Sequence, residues 1–259
     1  MLKFLTAGES HGPQLTAILD GFPAGFRIDP DKITFQMDRR RKGYGRGGRM
    51  KIENDRVEIV SGVRHGLTLG SPITLVIKNK DWDNWSEIMD PLKLPPKELG
   101  LREKRLAEET TCPRPGHADL AGGIKYNHHD LRNVLERASA RETAARTAVG
   151  AIARQLLESF GIEFASHVIR IGQAVVIKPY SVENLKWLCE TTENSEVRCL
   201  DEDAGNQMIE EIKSAKNSRD SLGGVVELIV RGVPVGLGSY SQWSKRLDAR
   251  LAAALMSIP

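Results

Sequence analysis

The chain has 259 residues, of which 40% are hydrophobic, 5% aromatic and 27% charged, and its formal net charge is +3. This composition is typical of a globular protein with a mainly aliphatic core, and the small net charge does not favour a nucleic-acid-binding protein. No apolar run approaches the ~20 residues that a membrane span requires, and residues 1–7 are too short in apolar content for a signal peptide.

Hydrophobic periodicity predicts seven elements. In chain order they are a helix at Pro30–Lys42, strands at Arg56–Val63 and Pro72–Lys78, a helix at about Asn133–Phe160, strands at Glu163–Val176 and Gly223–Pro234, and a helix at Gln242–Ser257. Asp29 precedes the first helix as a plausible N-cap, and Gly43 follows it as a stop. The two strands before residue 80 are predicted to be neighbours. Residues 81–111 are polar and weakly periodic, which is typical of a long loop or lid.

The last predicted helix has a strong apolar face. Trp243, Leu247, Leu251 and Leu255 repeat every four residues, but the sequence stops at Pro259. We therefore expect either that another part of the chain covers this face or that a C-terminal portion is absent.

The cysteines are Cys112, Cys189 and Cys199. They show neither metal-ligand spacing nor an even-numbered disulfide framework. Free thiols are typical of a reducing compartment, so we predict a cytoplasmic protein without a structural metal.

The strongest local signal is a basic segment at residues 39–51. It contains seven cations and no acid, with four glycines interspersed: Arg39, Arg40, Arg41, Lys42, Arg46, Arg49 and Lys51, and Gly43, Gly45, Gly47 and Gly48. Cations this close repel one another, and arginine grips phosphate with two donors at once, so an anionic ligand is expected. A solvated loop and an RNA-binding Arg-Gly-Gly segment are the alternatives.

Two glycine-flanked turns carry histidines. In Gly8-Glu9-Ser10-His11-Gly12 the imidazole of His11 is expected to be exposed and able to protonate a leaving group. The same pentapeptide has the Gly-x-Ser-x-Gly form of a hydrolase nucleophile elbow, but that elbow belongs after a core strand of a hydrolase sheet and this copy lies almost at the N-terminus. In the second turn, residues 114–119, Arg114 and His117 flank Pro-Gly, which favours proton transfer beside an anion. Either histidine could instead be structural, and the adjacent His128 and His129 are interpreted as surface residues.

The predicted long helix has a polar beginning, Arg137-Ala138-Ser139-Ala140-Arg141-Glu142-Thr143. Arg137 and Arg141 are one turn apart and would share a face of the helix. They could contact a ligand, or they could form ordinary pairs with acids such as Glu142.

Together these segments resemble chorismate synthase. The matching stretches are residues 8–12, 39–51, 114–119 and 137–144, with further matches at 235–240 and 245–251, all in family order. The resemblance implies an α+β fold with a β-α-β sandwich core, here as a single domain over residues 1–259 that is truncated at the C-terminus. It implies a carbon–oxygen lyase that removes phosphate from 5-enolpyruvylshikimate 3-phosphate by 1,4-anti elimination, giving chorismate with reduced FMN and no net redox change.

The resemblance also implies roles for individual residues. His11 would protonate the leaving phosphate, and His117 would protonate or stabilise the reduced flavin. Arg40, Arg46, Arg49 and Arg114, with Ser10, would bind the substrate; Arg137, Ala138 and Ser139 would contact FMN; and Arg40 and Arg46 would also serve NADPH in members that reduce their own flavin.

Family members are cytosolic homotetramers, so a homotetramer without nucleic-acid or membrane partners is expected. They also continue beyond the position of Pro259, and that portion holds further flavin contacts and a catalytic aspartate. The alternative is therefore an inactive relative that only binds flavin or assembles with subunits.

Overall fold

A computed structural model describes residues 2–45, 55–93, 108–177, 180–181 and 183–258. The chain divides into two compact units, the first formed by residues 1–37, 51–153 and 240–259 and the second by residues 38–50 and 154–239. Among the helices of the described ranges, none is both long and apolar enough to cross a membrane. A single domain over residues 1–259 stays a prediction.

The described residues contain both helices and strands. The strands are β1 (Lys3–Ala7), β2 (Gln14–Asp20), β3 (Val57–Ser61), β4 (Val63–Arg64), β5 (Leu67–Thr68), β6 (Ile73–Lys78), β7 (Glu163–Ile171), β8 (Ala174–Val175) and β9 (Gly224–Arg231). The helices are α1 (Pro30–Arg41), α2 (Asp119–Tyr126), α3 (Arg132–Leu135), α4 (Thr143–Ser159), α5 (Leu185–Asn194), α6 (Glu202–Ser218) and α7 (Leu247–Met256), with 3-10 turns at Trp82–Asn84, Ala140–Glu142 and Trp243–Lys245.

The first unit contains a four-stranded antiparallel sheet in the order β1-β2-β6-β3. On β2 the buried residues Leu15, Ala17 and Leu19 alternate with more exposed ones, as the period of a strand with one buried face requires. β6, the strand next to it, is almost wholly buried, with Ile73, Leu75, Val76 and Ile77 all in the core. The short hairpin β4–β5 lies between β3 and β6 in sequence.

The second unit is built on the sheet β8-β7-β9. One apolar cluster joins Ala165 of β7 to Leu185 and Leu188 of α5, and another joins Ala174 of β8 to Met208 of α6. The two helices therefore bury their apolar stripes against the sheet region of this unit. The cysteines are free thiols, and burial raises the pKa of the Cys199 thiol.

Most of the predicted elements are confirmed. The predicted strands at 56–63 and 72–78 are β3 and β6, and they pair with each other in antiparallel register. The first helix begins at Pro30, and the Asp29 carboxylate accepts the Asp31 N–H at 2.9 Å as an N-cap would. The predicted strand at 163–176 is β7 followed by β8, with the break at Gly172, and the strand at 223–234 is β9.

The helix predicted at about Asn133–Phe160 is wrong at its beginning. The chain has a short helix, α3, then an extended residue, Ser139, and the long helix starts only at Thr143. The Ser139 hydroxyl accepts the Arg141 N–H at 3.3 Å, and this local bond replaces a helical one. The last helix likewise begins at Leu247 and not at Gln242, because Arg246 before it is extended.

Candidate functional site

His11 is held by the carboxylate of Glu136. The imidazole Nδ1 lies 2.8 Å from Glu136 Oε1 and 2.9 Å from Oε2, and the His11 backbone N–H donates to Oε2 at 2.7 Å. The Glu136 residue is only 2% exposed, and its own carbonyl accepts the Ser10 N–H at 3.0 Å. The loop between β1 and β2 is therefore fastened to the segment after α3. The side chain of His11 is 19% exposed, so it is less open than the sequence predicted.

Gly8 shapes the entry into this loop. Its φ is +108°, and a Cβ at this position would lie 2.4 Å from the Gln14 carbonyl oxygen. Only glycine fits so close an approach with that backbone angle. The unusual backbone angles expected for the glycine-flanked turn are confirmed at this residue.

Trp85 covers one side of the His11 ring. The two ring centroids are 3.9 Å apart, with the planes inclined at 30°. The Trp85 indole N–H donates to Asp81 at 3.0 Å, and the Arg132 guanidinium lies 5.7 Å from the Trp85 ring centroid and 4.0 Å from Glu136. Sequence reasoning missed all of these partners, because Trp85 lies in a weakly periodic segment and Glu136 and Arg132 precede the recognised motif.

The segment 137–139 contacts the same loop. Arg137 donates to the carbonyls of Gly8 at 3.2 Å and Thr6 at 2.9 Å, and it lies 3.9 Å from Glu142. The Ser139 hydroxyl bonds to that of Ser10 at 3.2 Å, and Ser10 is 3% exposed. The Arg137–Glu142 pairing that the sequence suggested as an alternative is therefore present. The Arg137 guanidinium also bonds to Thr6 and Gly8 and so anchors the end of β1.

Buried acids on both sides of this segment fix it further. Arg141 forms an ion pair with Asp55, and both residues are buried. Glu142 accepts from the Thr6 hydroxyl at 2.7 Å and from Arg146 at 2.9 Å. Because an unpaired buried charge is costly, these pairs couple the correct placement of residues 137–142 to the folding of the first unit.

Arg114 is positioned by Asp119 on the turn that precedes α2. Its backbone N–H, Nε and Nη2 donate to the Asp119 carboxylate at 3.0, 2.8 and 3.0 Å. Hydrogen bonding from Arg114 lowers the pKa of the fully buried Asp119 from 3.8 to about 2. The pKa of Arg114 is raised, first by its hydrogen bonds to Asp119, and the charge of Glu136 also contributes. Arg114 is thus within electrostatic reach of the carboxylate that holds His11.

The remaining predicted site residues lie elsewhere in the chain. His117 lies on the same turn as Arg114 and is exposed. Arg46 and Arg49 lie outside the described residues, and Arg40 is half-buried in the last turn of α1, within the second unit. His128 and His129 are exposed, which confirms their interpretation as surface residues.

The start of the basic segment has acidic partners from elsewhere in the chain. Glu193 accepts from Arg39 Nε at 2.5 Å and from Arg198 Nη1 at 2.8 Å, and Lys42 Nζ lies 3.8 Å from it. Burial raises the pKa of the Glu193 carboxyl, but its bonds to Arg198 and Arg39 outweigh burial and the net direction is downward. The Tyr44 N–H donates to the Glu196 carbonyl at 2.9 Å, so residues 39–44 are tied to the end of α5 and the turn after it.

The described residues hold no group of three or more His, Cys, Asp or Glu side chains suited to a metal ion. The first unit contains a carboxylate-held imidazole, a pair of bonded hydroxyls and a fixed guanidinium. Side chains of these kinds in an α+β protein are typical of enzymes that transfer protons beside an anionic ligand.

Comparison with known proteins agrees with this class. The family model for chorismate synthase matches residues 2–259, and the chain belongs to the chorismate synthase family. It is 55% identical over 257 residues to chorismate synthase 1 of Bacillus thuringiensis (strain Al Hakam) and 53% identical over 259 residues to chorismate synthase of Bacillus velezensis (strain DSM 23117 / BGSC 10A6 / LMG 26770 / FZB42). Each alignment covers 99% of this chain and 65% of the relative, so the chain spans about two thirds of the length of these proteins.

A solved structure supports the fold assignment. The crystal structure of a chorismate synthase matches with a TM-score of 0.78 and 43% sequence identity, over 99% of this chain and 66% of that chain. The predicted α+β fold of the chorismate synthase type is therefore confirmed.

Proposed function

We propose that this chain catalyses the elimination of phosphate from 5-enolpyruvylshikimate 3-phosphate to give chorismate, or supplies part of the active site in which that reaction takes place. In this 1,4-anti elimination the carbon–oxygen bond to phosphate and one ring carbon–hydrogen bond break, and a new double bond forms. The observation that carries the proposal is the His11–Glu136 pair beside the bonded hydroxyls of Ser10 and Ser139. This pair would supply a fixed proton donor, and the relatives of this chain are named chorismate synthases.

We assign to His11 the role of proton donor to the leaving phosphate. Nδ1 faces Glu136, so transfer to the phosphate oxygen would use Nε2, the other nitrogen of the ring. The phosphate leaves with the electrons of the carbon–oxygen bond, and protonation stabilises the charge that develops on it.

Arginine charge would hold the anionic substrate. Arg114 keeps its guanidinium oriented through Asp119, and arginine cannot lose its charge at physiological pH. Arg40, Arg46 and Arg49 are proposed to complete the substrate clamp, with Ser10 as a further hydrogen-bonding group.

The described residues fit part of a site for reduced FMN. His117 is exposed on the Arg114 turn, and an imidazole on the same turn as a fixed cation suits an anionic ring or phosphate. The chemistry supplied by reduced FMN, when bound, is reversible electron donation to the substrate, which leaves no net redox change. His117 would hold or donate a proton at the flavin ring. The Ala138 N–H already donates to the Val134 carbonyl at 2.9 Å, so a flavin contact at Ala138 would use its methyl group or its carbonyl.

Other finer properties follow the family. We propose a cytoplasmic homotetramer that binds neither nucleic acid nor membranes. In forms that reduce their own flavin, Arg40 and Arg46 would bind NADPH.

The test is chorismate formation by the purified chain with FMN, dithionite and 5-enolpyruvylshikimate 3-phosphate under anaerobic conditions. We expect turnover, and a decrease in kcat of about 10²- to 10⁴-fold in His11→Asn, because a positioned acid contributes about that factor. His128→Asn, at an exposed histidine in the same unit, is the matched control and should keep the wild-type rate.

A second candidate is an inactive relative that binds flavin or assembles with other subunits. The alignment with the Bacillus thuringiensis relative covers 65% of that protein. Absence of chorismate at every protein concentration, together with FMN binding measured by quenching of flavin fluorescence, would replace the lyase with this candidate.

A further inference from the structure

The contacts of Glu136 go beyond those of an ordinary buried ion pair. Both of its carboxylate oxygens lie within 2.9 Å of His11 Nδ1, and one of them also accepts the backbone N–H of His11. A carboxylate is a hydrogen-bond acceptor only, so Nδ1 must carry a proton in this arrangement. The neutral ring is then the Nδ1–H tautomer, with the lone pair on Nε2.

The loop that carries His11 is held by hydrogen bonds both before and after His11 in the sequence. Buried Asn79 donates its side-chain amide to the Gly12 carbonyl at 3.0 Å, and its backbone N–H donates to the Pro13 carbonyl at 3.0 Å. On the other side, the Ser10 N–H donates to the Glu136 carbonyl. The backbone of His11 therefore has little freedom, and the ring orientation depends on the side-chain contacts.

Trp85 and Glu136 restrict the ring in two different directions. Trp85 packs on its face at 3.9 Å between centroids, whereas Glu136 bonds to its edge at Nδ1. Trp85 is itself anchored by Asp81, and Glu136 is accompanied by the Arg132 cation at 4.0 Å. Face and edge contacts together define one ring rotamer, which a proton donor needs if its reactive nitrogen is to keep one direction.

We propose that Glu136 is the positioning residue of His11: it fixes the Nδ1–H tautomer, so that protons enter and leave the ring at Nε2 only. This inference rests on the proposed function for its catalytic consequence, but the tautomer is a property of the free protein. When Nε2 gives up its proton, the ring that remains is the neutral Nδ1–H form that Glu136 accepts from. The carboxylate thus plays the orienting part that acids play for histidines in many hydrolytic enzymes.

The decisive experiment is ¹⁵N NMR of the histidine side chains in the uniformly labelled chain without flavin or substrate. Spectra are recorded at about pH 8.5, above the ordinary histidine range, and His11 is assigned among the six histidines from the spectrum of His11→Gln. In the wild-type protein we expect a protonated Nδ1 and an unprotonated Nε2. In Glu136→Gln the amide can accept from Nδ1 or donate to it, so we expect a mixture of tautomers or the Nε2–H form.

Glu142→Gln is the matched control. Glu142 is a buried glutamate of the same unit, and its carboxylate bonds to Thr6 and Arg146 rather than to His11. Its replacement should leave the His11 signals as in the wild type. In the elimination assay, Glu136→Gln should lower kcat by about 10-fold or more with a smaller change in KM, since ring orientation matters for proton transfer more than for binding.

The outcomes separate this inference from the proposed function. A changed tautomer in Glu136→Gln without chorismate formation by the wild type supports the positioning role and removes the lyase activity of this chain. An Nε2–H ring in the wild-type protein overturns the inference whether or not the variant folds. Unchanged His11 signals in a folded Glu136→Gln overturn it as well.

Discussion

Replacing Asp119 by Asn should destabilise the protein and free Arg114 at the same time. Asp119 is fully buried and accepts three hydrogen bonds from Arg114, and the variant removes the charge and one of the acceptor oxygens. The difference between a pKa of 3.8 and one of about 2 corresponds to about 2 kcal/mol. Because the Arg114 side chain is 37% exposed, solvent screening reduces the expected loss to about 1–2 kcal/mol.

The pH dependence has a definite sign. The pKa of Asp119 is lower in the folded protein than in the unfolded chain, so its stabilising contribution is complete above pH 3.8 and is lost as the pH falls towards about 2. The stability difference between the wild type and Asp119→Asn should therefore be constant near neutral pH and shrink below about pH 4.

Thermal unfolding followed by circular dichroism is the assay, and near neutral pH we expect a decrease in Tm of about 2–8 °C. Asp248→Asn is the matched control, because Asp248 accepts from Nε and Nη2 of Arg246 in the same way but is exposed. Its Tm should equal that of the wild type within error. An Asp119→Asn protein as stable as the wild type at neutral pH would refute the reasoning, as would a difference that persists undiminished to about pH 2.

Three other substitutions test the supports of the site. Asp55→Asn removes the negative charge that is paired with the buried Arg141 cation and should cost about 3–5 kcal/mol, seen in urea unfolding; a loss below about 1 kcal/mol would contradict a buried ion pair. Gly8→Ala forces a Cβ against backbone at a positive φ and should lower stability by at least about 1 kcal/mol, measured in the same way; wild-type stability would show that the turn can adopt another backbone conformation. Glu193→Gln removes the negative charge that Arg39 and Arg198 share, so limited proteolysis should cut residues 39–45 faster than in the wild type, and an unchanged rate would argue against this tether.

Gly25→Ala is the control for Gly8→Ala. Gly25 also has a positive φ, +77°, but a Cβ there meets no atom within 4 Å. It should show only the cost of the backbone angle, and the excess loss in Gly8→Ala measures the steric conflict.

Local sequence signals predicted those parts of the molecule that local physics determines. The helix cap at Asp29 and the paired strands β3 and β6 followed from capping chemistry and from β-branched runs. The N-cap of α6 was equally readable, since Asp201 accepts from the N–H groups of Asp203 and Ala204, yet that helix was missed. The interruption at Ser139 was not predicted, because alanine-rich sequence on both sides favours a helix and only the serine bond reveals the break.

The same distinction between local and long-range information applies to the candidate site. His11, Ser10, Arg114, Arg137 and Ser139 stand in short motifs that sequence alone singled out, and the structure brings the Ser10–His11 turn onto the 137–139 segment. Apart from the Arg137–Glu142 pair, their partners were not predicted, since nothing local marks which of many acids will reach a given base. The same holds within a single motif. Asp119 stands in the recognised segment 114–119, but its bond to Arg114 depends on the conformation of the turn between them.

The bond between His11 and Glu136 spans 125 positions of the chain. Closing so long a loop costs about 4 kcal/mol of chain entropy, and the bond between these two side chains alone cannot offset that cost. Peptides copied from either motif would therefore carry the chemical groups without the geometry. The imidazole acquires its direction only when the sheet of the first unit has assembled around it, which makes its tautomer a reporter of folding as much as of chemistry.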